Sequence, residues 1–271
     1  MSETEEAKKK AAATYNAASD FYDHPANTFW ERYGRRTIER LRLDEGARVL
    51  DVCCGSGASA IPAAIAVGPR GSVTGVDLAG NLLELARAKA NQRGLTNIQF
   101  ETGDMTNLRF ETGSFDAVVC VFGIFFVPDM EAAVRDLARV VRSGGRVAVT
   151  TWGPRFFEPV NNVFWNSVRD VRADLYKGFN PWDRICEVGA LRALMESVTI
   201  DVDVVPEADS QPVDSPNDWW AMVLGSGYRG TVDQLSDSER EQVRAENLDF
   251  IRREGICSIE SNVMYAIGKK H

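Results

Sequence analysis

Residues 48–57, RVLDVCCGSG, decide the fold of this chain, together with SVTGVD at 72–77. The apolar run Val49, Leu50, Val52 ends in a turn of small residues, and ASAIPAAIA at 58–66 then reads as a helix. A second apolar run, 73–76, closes on Asp77, twenty residues past Gly57. This is a strand–loop–helix–strand unit. Its glycines stand where a backbone must come close to a ligand, and its terminal carboxylate stands where ribose hydroxyls would sit. The unit predicts a cofactor that carries a nucleoside.

Outward from this unit the alternation continues. Strands are expected at 48–52, 72–77, 98–101, 117–121 and 146–151, and helices at 58–66, 80–92 and 130–141. Gly68-Pro69, Gly94, Gly103, Gly113 and Gly144-Gly145 punctuate them. Such alternation predicts an α/β fold, a parallel sheet covered by helices on both faces. Upstream, 5–13 reads as a solvated helix and 30–43 as an amphipathic helix on the sheet. Between them TYNAASDFYDHPANTF, 14–29, is rich in turn formers and aromatics. After Trp152 the alternation stops. Helices are expected at 160–175, 188–197, 215–224 and 237–253, and strands at 198–205 and 261–266. Residues 154–180 read as an inserted cap over the strand ends, where open α/β sheets bind ligands. The expected organisation is an N-terminal helical lid (1–44), a cofactor-binding core (45–152), and cap helices with the last two strands (153–271) completing the same domain.

Composition narrows the function. The chain has 271 residues, 44% hydrophobic and 26% charged, as expected of one large globular domain or one domain with additions. Its formal charge of −8 argues against a nucleic-acid partner. The five cysteines, Cys53, Cys54, Cys120, Cys186 and Cys257, are odd in number and form no Cys-x-x-Cys pair. They read as free thiols in a reducing compartment, and no metal is expected. The N-terminus MSETEEAKKK has no apolar signal core, and no apolar run approaches membrane-spanning length. A cytoplasmic protein without membrane insertion is expected; a homodimer is left open.

The glycine turn alone does not name the cofactor. Gly55-Ser56-Gly57-Ala58-Ser59-Ala60 has two of the three glycines of a dinucleotide fingerprint, and Asp77 also suits a nicotinamide dinucleotide. Three features tip the balance. Asp51 sits at the junction of strand and turn, where it would repel a pyrophosphate but welcome an ammonium or sulfonium. Gly103-Asp104-Met105 follows the third strand, placing an acceptor for an adenine amine beside an apolar side chain. FGIFFVPD at 122–129 and LARVVRSGGRVAVTTW at 137–152 contain no second glycine-rich mononucleotide half.

The order VLDVCCGSG, GVDLAGNLLELAR, GDM, FDAVVCVFGIFFVPD, LARVVRSGGRVAVTTW resembles the class I S-adenosylmethionine-dependent methyltransferases. It is most like the branch containing the ubiquinone/menaquinone-biosynthesis enzymes and their small-molecule relatives. The resemblance covers about residues 12–152 well and the remainder in outline. It implies a Rossmann-like seven-stranded sheet with an antiparallel last strand, and S-adenosyl-L-methionine as cofactor. Carried over by position, Asp51, Gly55 and Gly57 would hold the methionine part. Asp77 would take the ribose hydroxyls, Leu78 would pack on the adenine, and Asp104 would accept from its amine with Met105 beside the ring. Phe122 would sit near the sulfonium. Residues 15–23 resemble the N-terminal lid of this branch, with Tyr15 and Tyr22 closing over cofactor and substrate.

Methyl transfer is an in-line displacement, so positioning and exclusion of water carry much of the catalysis. Aromatic faces tolerate a sulfonium, which suits Tyr15, Tyr22, Phe122, Phe125 and Phe126. Many relatives carry a histidine in the turn where this chain has Phe126-Val127-Pro128-Asp129, and here it is absent. The base is then His24, a lid carboxylate (Asp20 or Asp23), or not needed. Strand four ends VFGI rather than in the Asn/Asp-Pro-Pro-aromatic turn of enzymes that methylate exocyclic amines of bases. The expected acceptor is a small, partly apolar molecule. Two alternatives stand beside this reading: a non-catalytic cofactor-binding regulator and a nicotinamide-dependent oxidoreductase. Arg229, between glycines, reads either as an anion contact or as a solvated loop residue.

Overall fold

The computed structural model describes residues 3–271, so Met1 and Ser2 of the expected lid lie outside the described residues. The chain opens with helices α1 (Glu3–Tyr22) and α2 (Phe29–Leu41). The core then runs β1 (Arg48–Val52), α3 (Ala60–Val67), β2 (Ser72–Asp77), α4 (Gly80–Gln92), β3 (Ile98–Thr102), β4 (Phe115–Val121), α5 (Met130–Val140) and β5 (Val141–Trp152). Beyond it follow α6 (Val160–Val171), α7 (Val188–Glu196), β6 (Ile200–Glu207), β7 (Ser210–Pro212), α8 (Pro216–Leu224), α9 (Arg229–Val232), α10 (Asp237–Glu254), β8 (Ser258–Glu260) and β9 (Val263–Lys269).

Seven strands form one sheet in the order β3-β2-β1-β4-β5-β9-β6. The first five are parallel, and β9 runs antiparallel between β5 and β6. The fold is therefore α/β and Rossmann-like. Successive strand residues point to opposite faces, so each strand feeds two apolar layers. Val49, Ala117 and Val119 join Ala60, Ala64 and Leu83 on one face. Leu50, Val52, Val118 and Cys120 join the larger, aromatic layer on the other. Burial on both faces explains why these strands read as near-continuous apolar runs.

The antiparallel last strand is where it was expected, shifted by two residues, with β6 as the sheet edge. Strand β5 is longer than expected, because Gly144 and Gly145 continue the strand. The connection expected at 14–29 is different. Helix α1 continues without a break through Tyr22. Ala11, Tyr15, Ala18 and Tyr22 form a stripe at helical spacing, and this stripe outweighs the turn-forming Asn16, Ser19 and Asp20. Among the described residues no helix is long and apolar enough to cross a membrane.

Candidate active site

Parallel strands β1, β2 and β4 all end on the same rim, and the chain turns sharply there. Gly55 adopts φ +53°, and a Cβ on it would come within 3.0 Å of the Tyr22 hydroxyl. Gly57 has φ +86°, and a Cβ there would press on Ile61. Cys53 and Phe122, at the ends of adjacent β1 and β4, also lie in the left-handed region (φ 60° and 54°). For a bulky aromatic this is a strained conformation, costing on the order of 1–2 kcal/mol. Such strain concentrates at ligand sites. It was not visible in the sequence, since nothing in Val121-Phe122-Gly123 signals a left-handed phenylalanine.

Asp77 ends β2 with both oxygens fixed by main chain: Gly55 N–H donates to one (2.9 Å) and Ala79 N–H to the other (2.8 Å). Burial raises its pKa above the usual carboxylate range, and these backbone donors only partly offset it. Asp104 follows β3. One oxygen accepts from the Thr106 N–H and hydroxyl, and the other from the Lys8 ammonium at 2.7 Å. Partial burial pushes this carboxyl up, but Lys8 and Thr106 outweigh burial and hold it low. Met105 is buried beside it, its sulfur 4.0 Å from that of Cys120.

Helix α1 lies across these strand ends and is pinned along its length. Lys8 holds Asp104, the Asn16 side chain accepts from Asn81 N–H (2.9 Å), and Asp23 accepts from Ser56 (2.8 Å) and Lys89 (2.9 Å). Tyr22 stacks on Trp30 with rings nearly parallel at 5.0 Å. Beneath α1 is a cleft of about 800 Å³, part of it open to solvent. Tyr15, Tyr22, Gly55, Asp77, Leu78, Asp104, Met105, Phe122 and Phe126 all line it, as do Lys8, Trp30 and Cys53.

Three of the residues singled out from sequence do not. Asp51 is fully buried on the α3 side of the sheet. One of its oxygens accepts from the Ser59 hydroxyl at 2.7 Å, while the other, Oδ1, has no hydrogen-bond partner. Complete burial pushes its carboxyl up to about 7. Gly57 shapes the turn but faces α3. His24 does not line the cleft: its Nδ1 accepts from Ala26 N–H at 3.1 Å and caps the short turn 25–27. Arg229 is not free either, since it pairs with Asp233 one helical turn on, at 2.7 Å.

A second chamber adjoins the first and shares Tyr15, Trp30, Phe122 and Phe126 with it. Its remaining walls are Phe125, Trp152, Phe156, Trp165, Phe179, Trp182 and Tyr228, among others. Phe122 stacks on Trp152 at 3.9 Å, Phe156 meets Trp182 at 4.7 Å, and Tyr15 meets Phe126 edge-on at 5.7 Å. Lys177, Phe179 and Asn180, at the end of the expected cap, supply one side together with Pro181 and Trp182 just beyond it.

A family model described as methyltransferase domain matches residues 49–145. Demethylmenaquinone methyltransferase of Listeria welshimeri is 33% identical over 179 residues, 63% of this chain and 75% of that protein. The chain belongs to the S-adenosylmethionine-dependent methyltransferases. Aklanonic acid methyltransferase DauC of a Streptomyces species is 37% identical over 144 residues, 53% of this chain and 66% of that one. The solved YcgJ protein of Bacillus subtilis covers 89% of this methyltransferase and 99% of its own chain, with TM-score 0.57 and 20% identity, a likeness of fold. The nicotinamide alternative has no support among these findings.

The residues present fit S-adenosyl-L-methionine, the family's cofactor. The Gly55 turn admits close approach with no side chain in the way. Two acids stand on neighbouring strand ends, and Leu78 and Met105 add apolar surface between them.

Proposed function

We propose that this methyltransferase acts on a small, planar, partly apolar acceptor held in the aromatic chamber, with the methyl donor in the carboxylate-lined one. One observation carries the reading: a chamber with two carboxylates in an otherwise largely apolar lining, and a chamber walled by aromatic rings with no carboxylate, meet along a shared aromatic wall of Tyr15, Trp30, Phe122 and Phe126. Ring faces bind flat apolar molecules and also favour a cationic sulfur. The names of the two curated relatives, for aklanonic acid and demethylmenaquinone, point to small organic acceptors as well. The net charge of −8 argues against nucleic acid.

In this reading Asp77 receives the ribose hydroxyls, Leu78 and Met105 flank the adenine, and Asp104 accepts from its amine. Gly55 gives room to the methionine part. Asp51 acts from below the turn through its hold on Ser59, and Gly57 through the shape of the turn. When bound, the cofactor supplies an electrophilic methyl on a positively charged sulfur. Phe122 and Phe126 shield that region from water, and Tyr15 and Tyr22 close it from the lid side. Burial raises the pKa of both tyrosines, so each remains a neutral hydroxyl. Neither acts as a base at neutral pH. Catalysis then rests on alignment and desolvation.

The test is transfer from S-adenosylmethionine carrying a labelled methyl group to a panel of planar aromatic, aliphatic and nucleic-acid acceptors. Label is expected in planar aromatics and is expected to fall with Trp182→Ala. Equal labelling of aliphatic acceptors, or of nucleic acid, would remove the reading.

A further inference from the structure

We infer that the acceptor enters the aromatic chamber as an anion, a planar ring system bearing an oxyanion, and that Lys177 is the specificity-determining residue that meets its charge. This rests on the reading of that chamber as the acceptor site.

Among the described residues lining the chamber, Lys177 is the one charged side chain, and no carboxylate lines it. It is an exposed residue whose ammonium nonetheless lies over the Trp165 ring, 5.4 Å from the centroid. It makes no hydrogen bond or ion pair. Of the other cations near the site, Lys8 pairs with Asp104 and Arg229 with Asp233, while Lys10 lies close enough to Lys177 to be felt by it. The low-polarity surroundings, and Lys10 nearby, lower the pKa of Lys177. An anion seated beside it would reverse that cost.

The chamber's other polar atoms agree. The Tyr228 hydroxyl donates to Asn161 at 2.6 Å and Ser226 donates to the Val223 carbonyl, so both donors are engaged. Donors still available there include the Trp30 indole N–H, buried without a partner, and the neutral Tyr15 hydroxyl, which can donate or accept. A site whose unspent capacity is an ammonium and N–H or O–H groups complements an oxygen bearing negative charge. The same inference accounts for the missing base. Among the described residues no histidine lines either chamber, and the two carboxylates of the cofactor chamber are already hydrogen-bonded. An acceptor that arrives ionised needs no proton removed.

The probes are anthraquinone-2-carboxylate and its neutral carboxamide, titrated into the full chain saturated with S-adenosylhomocysteine and followed by tryptophan fluorescence. Wild type is expected to prefer the carboxylate by about tenfold or more, the scale of one good charge contact. Lys177→Gln is expected to erase the preference while leaving carboxamide affinity unchanged, and Lys177→Arg to keep it. Equal affinities in wild type, or a preference that survives Lys177→Gln, would overturn the anion inference and leave the aromatic chamber standing. Failure of both probes to bind while S-adenosylhomocysteine binds would overturn the chamber reading and the inference together.

Discussion

The cofactor chamber takes its two carboxylates from strand ends that are neighbours in the sheet. The aromatic chamber takes its walls from segments scattered between Tyr15 and Tyr228. In the first, backbone N–H groups hold the carboxylate of Asp77 within hydrogen-bond distance, so its position follows from the strand and turn alone. In the second, side chains hold one another: Phe122 on Trp152, Trp152 on Phe156, Phe156 on Trp182. The difference teaches that a parallel sheet can specify a nucleoside site locally and leave the acceptor site to whatever the surrounding helices bring. It also separates what mutation should do. Damage to the first chamber should appear as lost affinity, and damage to the floor of the second as lost stability.

The largest effect expected on that contrast is Trp152→Ala. The side chain is almost fully buried and stacks at the junction of the two chambers. Truncation should cost about 3–5 kcal/mol of unfolding free energy. A loss below about 1 kcal/mol in chemical denaturation would mean that the aromatic floor is not part of the packed core.

Asp51 sharpens the contrast from the opposite side. Its carboxyl is raised to about 7 by burial in the folded chain. The folded state therefore holds this proton more tightly than the unfolded chain does. The stabilisation is full below the unfolded pKa of about 4 and is lost as pH rises toward 7, an amount of about 4 kcal/mol. Asp51→Asn carries no such proton. Wild type should lose stability relative to this variant across that interval, measured by urea unfolding at pH 4, 5.5 and 7. A constant difference would show that the orphaned oxygen has acquired a partner.

Asp77→Ala should weaken S-adenosylhomocysteine binding by about 1–3 kcal/mol by calorimetry, since ribose hydroxyls would lose a buried partner. Unchanged affinity would place the ribose elsewhere. Trp182→Ala should lower affinity for a planar acceptor by about 0.5–1.5 kcal/mol and leave cofactor affinity alone, because Trp182 lines only the aromatic chamber of the two. Parallel losses for both ligands would mean that the chambers are one. Lys8→Met comes last. Its pair with Asp104 is partly exposed, so the change in thermal stability should stay under about 1 kcal/mol, with Asn16 and Asp23 still pinning α1. A larger loss would make that ion pair the main hold on the lid.

Much of the first chamber was legible because its signals are local. The strand ending at Asp77, the glycine turn and Gly103-Asp104-Met105 are each a few residues long, and backbone geometry turns them into positions. Legibility failed where a neighbour in space reassigned a residue. His24 beside Pro25 gives no hint that its ring nitrogen will cap the Ala26 N–H. Asp51 sits one strand residue from Val52, and the alternation of the pleat sends its side chain to the far face. Lys8, Trp30, Trp152, Phe156, Trp182 and Lys177 carried no sequence signal, because lone aromatics and lone lysines are common on any fold. The aromatic stripe of α1 was present in the sequence as Ala11, Tyr15, Ala18 and Tyr22, but the turn-forming residues between them masked it.

From its order of residues alone, this chain specified alternating strands and helices, a sheet with an acid at the ends of β2 and β3, and a cofactor with a nucleoside, to which the resemblance of its motifs added a cationic sulfur. Those follow from period, turn chemistry and charge, which act over a few residues. The tertiary structure alone decided which acids face the cleft, that α1 is one continuous helix across it, and that distant aromatics and one unpaired lysine enclose a second chamber. Those depend on contacts between residues far apart in the chain, which form only when burying them together outweighs the entropy of closing the loops between.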